Sequence, residues 1–219
     1  MSLVERINNA LPQTQCMRCG YPDCQSYAQA IADSKAGINQ CPPGGEEGVA
    51  RLAAITGHAV EGLNPDNGFE GPRTIAIIDE AWCIGCTLCI KVCPTDAIVG
   101  ANKRMHTVIE PYCTGCELCI PACPVDCISL EPIDLALSGW QAWPQTLADQ
   151  ARQRYDWHKA RLARDEAENA ARLQAKAVHK LADLTAHTKG AENPSEAERK
   201  RAVIEAALAK AKARLPQKS

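Results

Sequence analysis

One phenylalanine, four tyrosines and four tryptophans are all the aromatic side chains in the 219 residues. So little aromatic area does not fill a large core, and one ordinary domain or two small ones are expected. No stretch approaches the ~18 consecutive apolar residues of a membrane-spanning helix. The start, Met1 to Ala10, lacks a basic segment followed by an apolar run and does not read as a secretory signal. A Gly-rich phosphate loop, a Ser-His-Asp pattern and a flavin or nicotinamide fingerprint are also missing, so the chain lacks the means for two-electron substrate chemistry alone. His58, His106, His158, His179 and His187 have no partner at ligand spacing and read as surface or packing residues. A soluble, intracellular chain is expected.

Cysteine is the residue in excess, with thirteen. In a reducing compartment clustered cysteines bind metal rather than each other. Cys83, Cys86, Cys89, Cys93 and Pro94 form a C-x2-C-x2-C-x3-C-P run, and Cys113, Cys116, Cys119, Cys123 and Pro124 repeat it 30 residues later. Glu80/Glu110, Trp82/Tyr112, Asp96/Asp126 and Ile98/Ile128 match at the same offset, so the repeat is a structural unit with an approximate twofold relation. Each copy resembles the run by which bacterial-type ferredoxins hold cubane iron–sulfur clusters. In that family the cysteine before Pro ligates the other cluster. Carried over, Cys83, Cys86, Cys89 and Cys123 hold one cluster, and Cys113, Cys116, Cys119 and Cys93 hold another. Paired C-x2-C units would serve zinc, but nothing in zinc binding calls for a third cysteine and a Cys-Pro in both copies.

Gly85 and Gly115 are expected where a Cβ would obstruct the loop around the cube. Ile84, Leu88, Ile90, Leu118 and Ile120 are expected to exclude water, and Trp82 and Tyr112 to pack beside the loops. Thr74–Asp79 reads as a strand pairing with Cys127–Leu130, and Ala97–Gly100 with Thr107–Glu110 as a hairpin.

Upstream, Cys16, Cys19, Cys24 and Cys41 have spacings of x2, x4 and x16. Four cysteines suit one tetrahedral zinc or one four-iron cluster, and spacing alone does not choose. Cys127 has Ala97 as its counterpart in the first copy and reads as packed beside a cluster. Twelve cysteines then remain, enough for three cubanes, which favours a cluster at the first site. Helices are expected before Cys16, between Cys24 and Gly37, and from Glu46 to Gly57.

Residues 1–139 carry 8 Lys/Arg against 16 Asp/Glu, and residues 140–219 carry 16 against 10. The acidic head should steer toward basic surfaces on redox partners. The basic tail reads as a long helix over Thr146–Thr188, loosely tethered, with a thin stripe of Ala151, Leu162, Leu173 and Leu184. Ser195 and Glu198 form a capping box for a last helix. The fold class is α+β: a four-cysteine domain over 1–57, a linker over 58–72, a double [4Fe-4S] ferredoxin-like domain over 73–133 and a helical tail over 140–219.

The Cys16–Cys24 segment, the Cys41-Pro42-Pro43-Gly44-Gly45 element and the double run, in this order, resemble the B component of the Rnf (Rsx) electron transport complex. Ile98-Val99-Gly100-Ala101 and Met105-His106-Thr107-Val108 share in the likeness, which covers roughly residues 3–131. The resemblance implies three [4Fe-4S] clusters, the first held by Cys16, Cys19, Cys24 and Cys41, and single-electron relay between donor and acceptor proteins. Family members of the usual kind begin with a membrane helix, whereas Met1 here lies directly before the helix preceding Cys16. A cytoplasmic carrier is therefore expected, without nucleic-acid partners. The alternatives are a peripheral subunit on the cytoplasmic face of the inner membrane, joined to other Rnf-type subunits, and a cluster delivery or sensor protein.

Overall fold

The computed structural model describes residues 1–182 and 194–214. The chain divides into two compact units, Met1–His158 and Lys159–Ser219.

Helix α1 (Leu3–Asn9) starts on a reciprocal cap: the Ser2 hydroxyl accepts from the Glu5 N–H, and the Glu5 carboxylate accepts from the Ser2 N–H. In α2 (Cys24–Ala32) the Asp23 carboxylate accepts from the Ser26 N–H. This helix ends well before Gly37, because Asp33 closes it and Ser34 turns into the left-handed region at φ +56. Helix α3 (Gly45–Thr56) stops at Gly57, whose φ of +78 suits a residue without a Cβ. The apolar faces of the three helices meet in a core of Ile7, Leu11, Tyr27, Ile31, Val49 and Leu52. Tyr27 is buried without a polar deficit: its hydroxyl donates to the Gly37 carbonyl (2.8 Å) and accepts from the Gln40 N–H (3.1 Å).

The stretch expected as a linker is tied to this core. It contains a 3-10 turn, Pro65–Asn67; the Asn64 N–H donates to the Asn39 carbonyl (2.9 Å) and the Asn67 amide to the Arg18 carbonyl (2.9 Å).

Strand β1 (Thr74–Ile78) pairs antiparallel with β4 (Ile128–Pro132), Ile78 opposite Ile128. Between them β2 (Ile98–Val99) and β3 (Thr107–Val108) make a short hairpin, Ile98 opposite Val108. The core they enclose combines Ala76, Ile78, Ala97, Ile98 and Ile128 with the buried Cys89, Cys93, Cys113, Cys119, Cys123 and Cys127. Sulfur takes the place that aromatic rings hold in ordinary small domains. Helix α4 (Leu88–Val92) is one turn containing the third cysteine of the first run; the second run makes only turns there.

Helices α5 (Gly139–Ala142) and α6 (Gln145–Ala182) follow. Trp140, Trp143, Ala148 and Ala151 form a third small core. The Trp143 indole donates to the Pro12 carbonyl (2.8 Å), the Gln145 amide to the Asn9 carbonyl (3.1 Å) and the Tyr155 hydroxyl to Asp23 (3.1 Å). His158 lies 2.8 Å from Asp96. The tail is therefore not loosely tethered from Trp140: up to His158 it is part of the first unit, held by polar contacts that helical periodicity does not reveal.

Within the second unit Ala170 and Ala177 are buried, whereas Leu173 stays 43% exposed, so the expected leucine stripe is only partly covered. Leu184 and Thr188 lie outside the described residues. Helix α7 (Pro194–Arg214) begins at Pro194, where a missing N–H costs nothing; the expected capping box rests on Ser195, whose side chain lies outside the described ones. Among the described residues no helix is long and apolar enough to cross a membrane.

Candidate metal centres

Cys16 and Cys19 sit on a loop, Cys24 opens α2 and Cys41 precedes the Pro42–Gly44 turn. Gln13, Gln15 and Met17 adopt φ of +59, +54 and +61. Each costs roughly 1–2 kcal/mol in a residue with a Cβ, and such alternation turns backbone N–H groups into one concavity. The Gln15 N–H points to the Cys24 sulfur, while the Gln15 side chain accepts from the Cys24 N–H (2.9 Å). A chain of buried amides fixes it: Gln15 Nε2 donates to Gln13 Oε1 (3.1 Å), and Gln13 Nε2 to Asn8 Oδ1 (3.0 Å). Burial pushes the Cys24 thiol up to about 12, with Cys16 and Cys19 adding to the rise. Cys41 is raised by burial and by Cys24, Cys16 and Cys19. Cys16 and Cys19 thus bear on both Cys24 and Cys41. Iron ligation here exchanges protons for metal, since burial disfavours a bare thiolate.

In the double run, burial raises Cys116 and Cys119 to about 12, and Cys93 and Cys113 act on both. Cys93, from the first copy, thus bears on two thiols of the second. Burial also raises Cys89, and its neighbours are Cys86 and Cys83. At Cys123 burial works upward, but the N–H groups of Val125 and Cys127, the Cys127 thiol and the Asp126 N–H outweigh it and the thiol is lowered. Amide donors reach further sulfurs, Ala97 N–H to Cys93 (3.2 Å) and Ala76 N–H to Cys113 (3.4 Å). Donors of this kind stabilise the more negative, reduced form of a thiolate-held cluster. Among the described residues no three His, Cys, Asp or Glu side chains converge tightly enough for a single metal ion. A cubane, which takes one thiolate at each of four separate corners, does not require that convergence.

Gly85 (φ +66) and Gly115 (φ +64) leave no room for a Cβ, which would strike the Lys103–Arg104 turn at Gly85 and the Thr74 carbonyl at Gly115. Other expectations need correcting. Ile84 and Leu88 are exposed rather than shielding, although Ile90 and Ile120 do pack on the core. Trp82 is 69% exposed and does not pack beside its loop. Tyr112 is at the exposed margin and carries the Arg154 guanidinium 3.3 Å above its ring.

Spacing and periodicity do not find three further residues. His106 is 1% exposed, with Nδ1 3.3 Å from the Cys89 sulfur. Its place just before β3, in a segment that shares the family likeness, is a signal for the residue but not for its contact, since no spacing rule links it to Cys89. Gln13 and Gln15 carry no signal beyond proximity to Cys16. Cys127 lies 3.5 Å from Cys123, sulfur to sulfur, and is also near Cys83.

The "4Fe-4S dicluster domain" family model matches residues 76–130, and the "Putative Fe-S cluster" model matches residues 11–43. With buried thiol groups served by amide donors, they define an iron–sulfur electron-transfer protein with [4Fe-4S] clusters. The B component of the ion-translocating oxidoreductase complex of Azoarcus sp. (strain BH72) is 60% identical over 139 residues, 64% of this chain and 76% of that protein. The corresponding protein of Thiobacillus denitrificans is 58% identical over 139 residues, 64% and 74% of the two chains. That of Alkalilimnicola ehrlichii is 53% identical over 152 residues, 68% and 81%. The chain belongs to this family, the B components of the Rnf-type ion-translocating oxidoreductase complexes. No solved structure matches it.

Proposed function

We propose that the chain relays single electrons through three [4Fe-4S] clusters as a subunit that assembles peripherally, on the cytoplasmic face, with the other members of an ion-translocating oxidoreductase complex. The ligand sets are Cys16, Cys19, Cys24 and Cys41; Cys113, Cys116, Cys119 and Cys93; and Cys83, Cys86, Cys89 and Cys123. The observation that carries this reading is the grouping of the thiols. Cys24 lies in the helical core with Cys19 and Cys41 against it, and Cys89, Cys93, Cys113, Cys119 and Cys123 share the core of the strands with Cys83 against it. The clusters supply reversible one-electron oxidation and reduction without proton or bond changes. The protein excludes water, aims N–H groups at sulfur and fixes the sites in one unit. The double run and the four-cysteine segment have separate cores within the first unit, which supports reading each as a domain.

The crossover is tested with Cys93→Ser in the full chain, purified anaerobically and examined by EPR after reduction. The signal of the cluster held by Cys113, Cys116 and Cys119 should be lost or altered, with that of Cys83, Cys86 and Cys89 retained. Damage confined to the Cys83, Cys86 and Cys89 cluster contradicts the assignment.

A further inference from the structure

The two copies of the repeat are alike in sequence but not in surroundings. Thr114, inside the second loop, is buried, and its hydroxyl donates to the Thr14 carbonyl at 3.0 Å, two residues before Cys16. Its counterpart in the first loop, Ile84, is 56% exposed. Glu117, also in the second loop, pairs with Arg18, which lies between Cys16 and Cys19. Its counterpart is Thr87; the two share the left-handed conformation, φ +66 and +65, so the difference lies in the side chain and not in the loop. A cleft of about 120 Å³ brings Thr14, Arg18 and Pro42 of the four-cysteine segment together with Thr114, Gly115 and Glu117. The first loop packs instead on the hairpin turn, where the Lys103 N–H donates to the Gly85 carbonyl (3.0 Å).

The geometry points to a fixed order in the relay: the loop Cys113–Cys119 is the neighbour of the four-cysteine site, and the loop Cys83–Cys89 is the far station. Thr114, Thr14, Arg18 and Glu117 are positioning residues that hold the first two stations together. Each transfer moves one electron: the donor site is oxidised by one as the acceptor site is reduced by one, and no bond forms or breaks. The order follows from contacts on one side of a pseudo-twofold module. A residue pair that would be interchangeable in an isolated repeat, Ile84 and Thr114, has been differentiated into one exposed side chain and one buried anchor.

This order rests on the three-cluster reading, and the test separates the two. In the fully reduced chain, EPR should show magnetic broadening of the four-cysteine signal by its neighbour. Cys86→Ala, which removes the far station, should leave that broadening, and Cys116→Ala should abolish it. The reverse pattern overturns the order. Because loss of a cluster can unfold the module, a second pair keeps every ligand. Thr114→Val should weaken the broadening, and Ile84→Val at the equivalent position should not. Equal effects of the pair, including none, count against the assignment. Iron near twelve per chain with coupling in the wrong place defeats the order alone, whereas iron near eight, with the four-cysteine site empty of iron, defeats both (about four irons per cubane).

Discussion

His106 and Cys89 lie 3.3 Å apart in a buried setting. With Cys89 bound to iron its sulfur can only accept, so His106 donates from Nδ1, and that hydrogen bond favours the reduced form. His106→Phe, which keeps a ring but removes the donor, should shift the potential of the cluster on the Cys83–Cys89 loop to more negative values. EPR-monitored redox titration reads this, and an unchanged potential at full iron content would show that the bond has no part in tuning the cluster. The cysteines are legible in the sequence because cubane ligation is written into local spacing. His106 and Gln15 are not, because they reach Cys89 and Cys24 through the folded chain, across 17 and 9 residues. Composition and periodicity have no access to such contacts.

Strands and helices are legible where one period dominates. The β1–β4 pairing follows from the β-branched run Thr74–Ile78 and the short apolar run that closes the repeat at Ile128, and α3 from its apolar face and the Gly57 stop. The docking of the first turns of α6 is not, since what holds them is a set of specific donors: Trp143 on Pro12, Gln145 on Asn9 and Arg154 on Thr95 (2.8 Å). Arg73 adds a cation 4.6 Å over the Trp143 ring. Trp143→Ala should therefore destabilise the first unit by about 3–5 kcal/mol, the range for emptying a buried aromatic site. Denaturation followed by loss of cluster absorbance measures it, and a cost within about 0.5 kcal/mol, typical of surface positions, contradicts the packing. Truncation after His158 should leave iron content and midpoint unchanged, whereas truncation before Trp140 should lower both. Equal outcomes for the two truncations would place the unit boundary elsewhere.

At the scale of the molecule, a chain with one phenylalanine places sulfur in the core where aromatic volume is scarce, so loading with clusters should stabilise the fold. The head, with 8 Lys/Arg against 16 Asp/Glu over residues 1–139, gains further negative charge from thiolate-held clusters and should meet basic partner surfaces. The family and the electron-transfer role are legible from motif order. The unequal surroundings of the two loops are not, because a repeat in sequence conceals which copy is covered. Whether the chain is a three-cluster relay is decided by iron and acid-labile sulfide analysis of the full chain purified without oxygen. About twelve irons and about twelve sulfides per chain are expected, three cubanes of four irons each. About eight of each, with zinc held by Cys16, Cys19, Cys24 and Cys41, would contradict it.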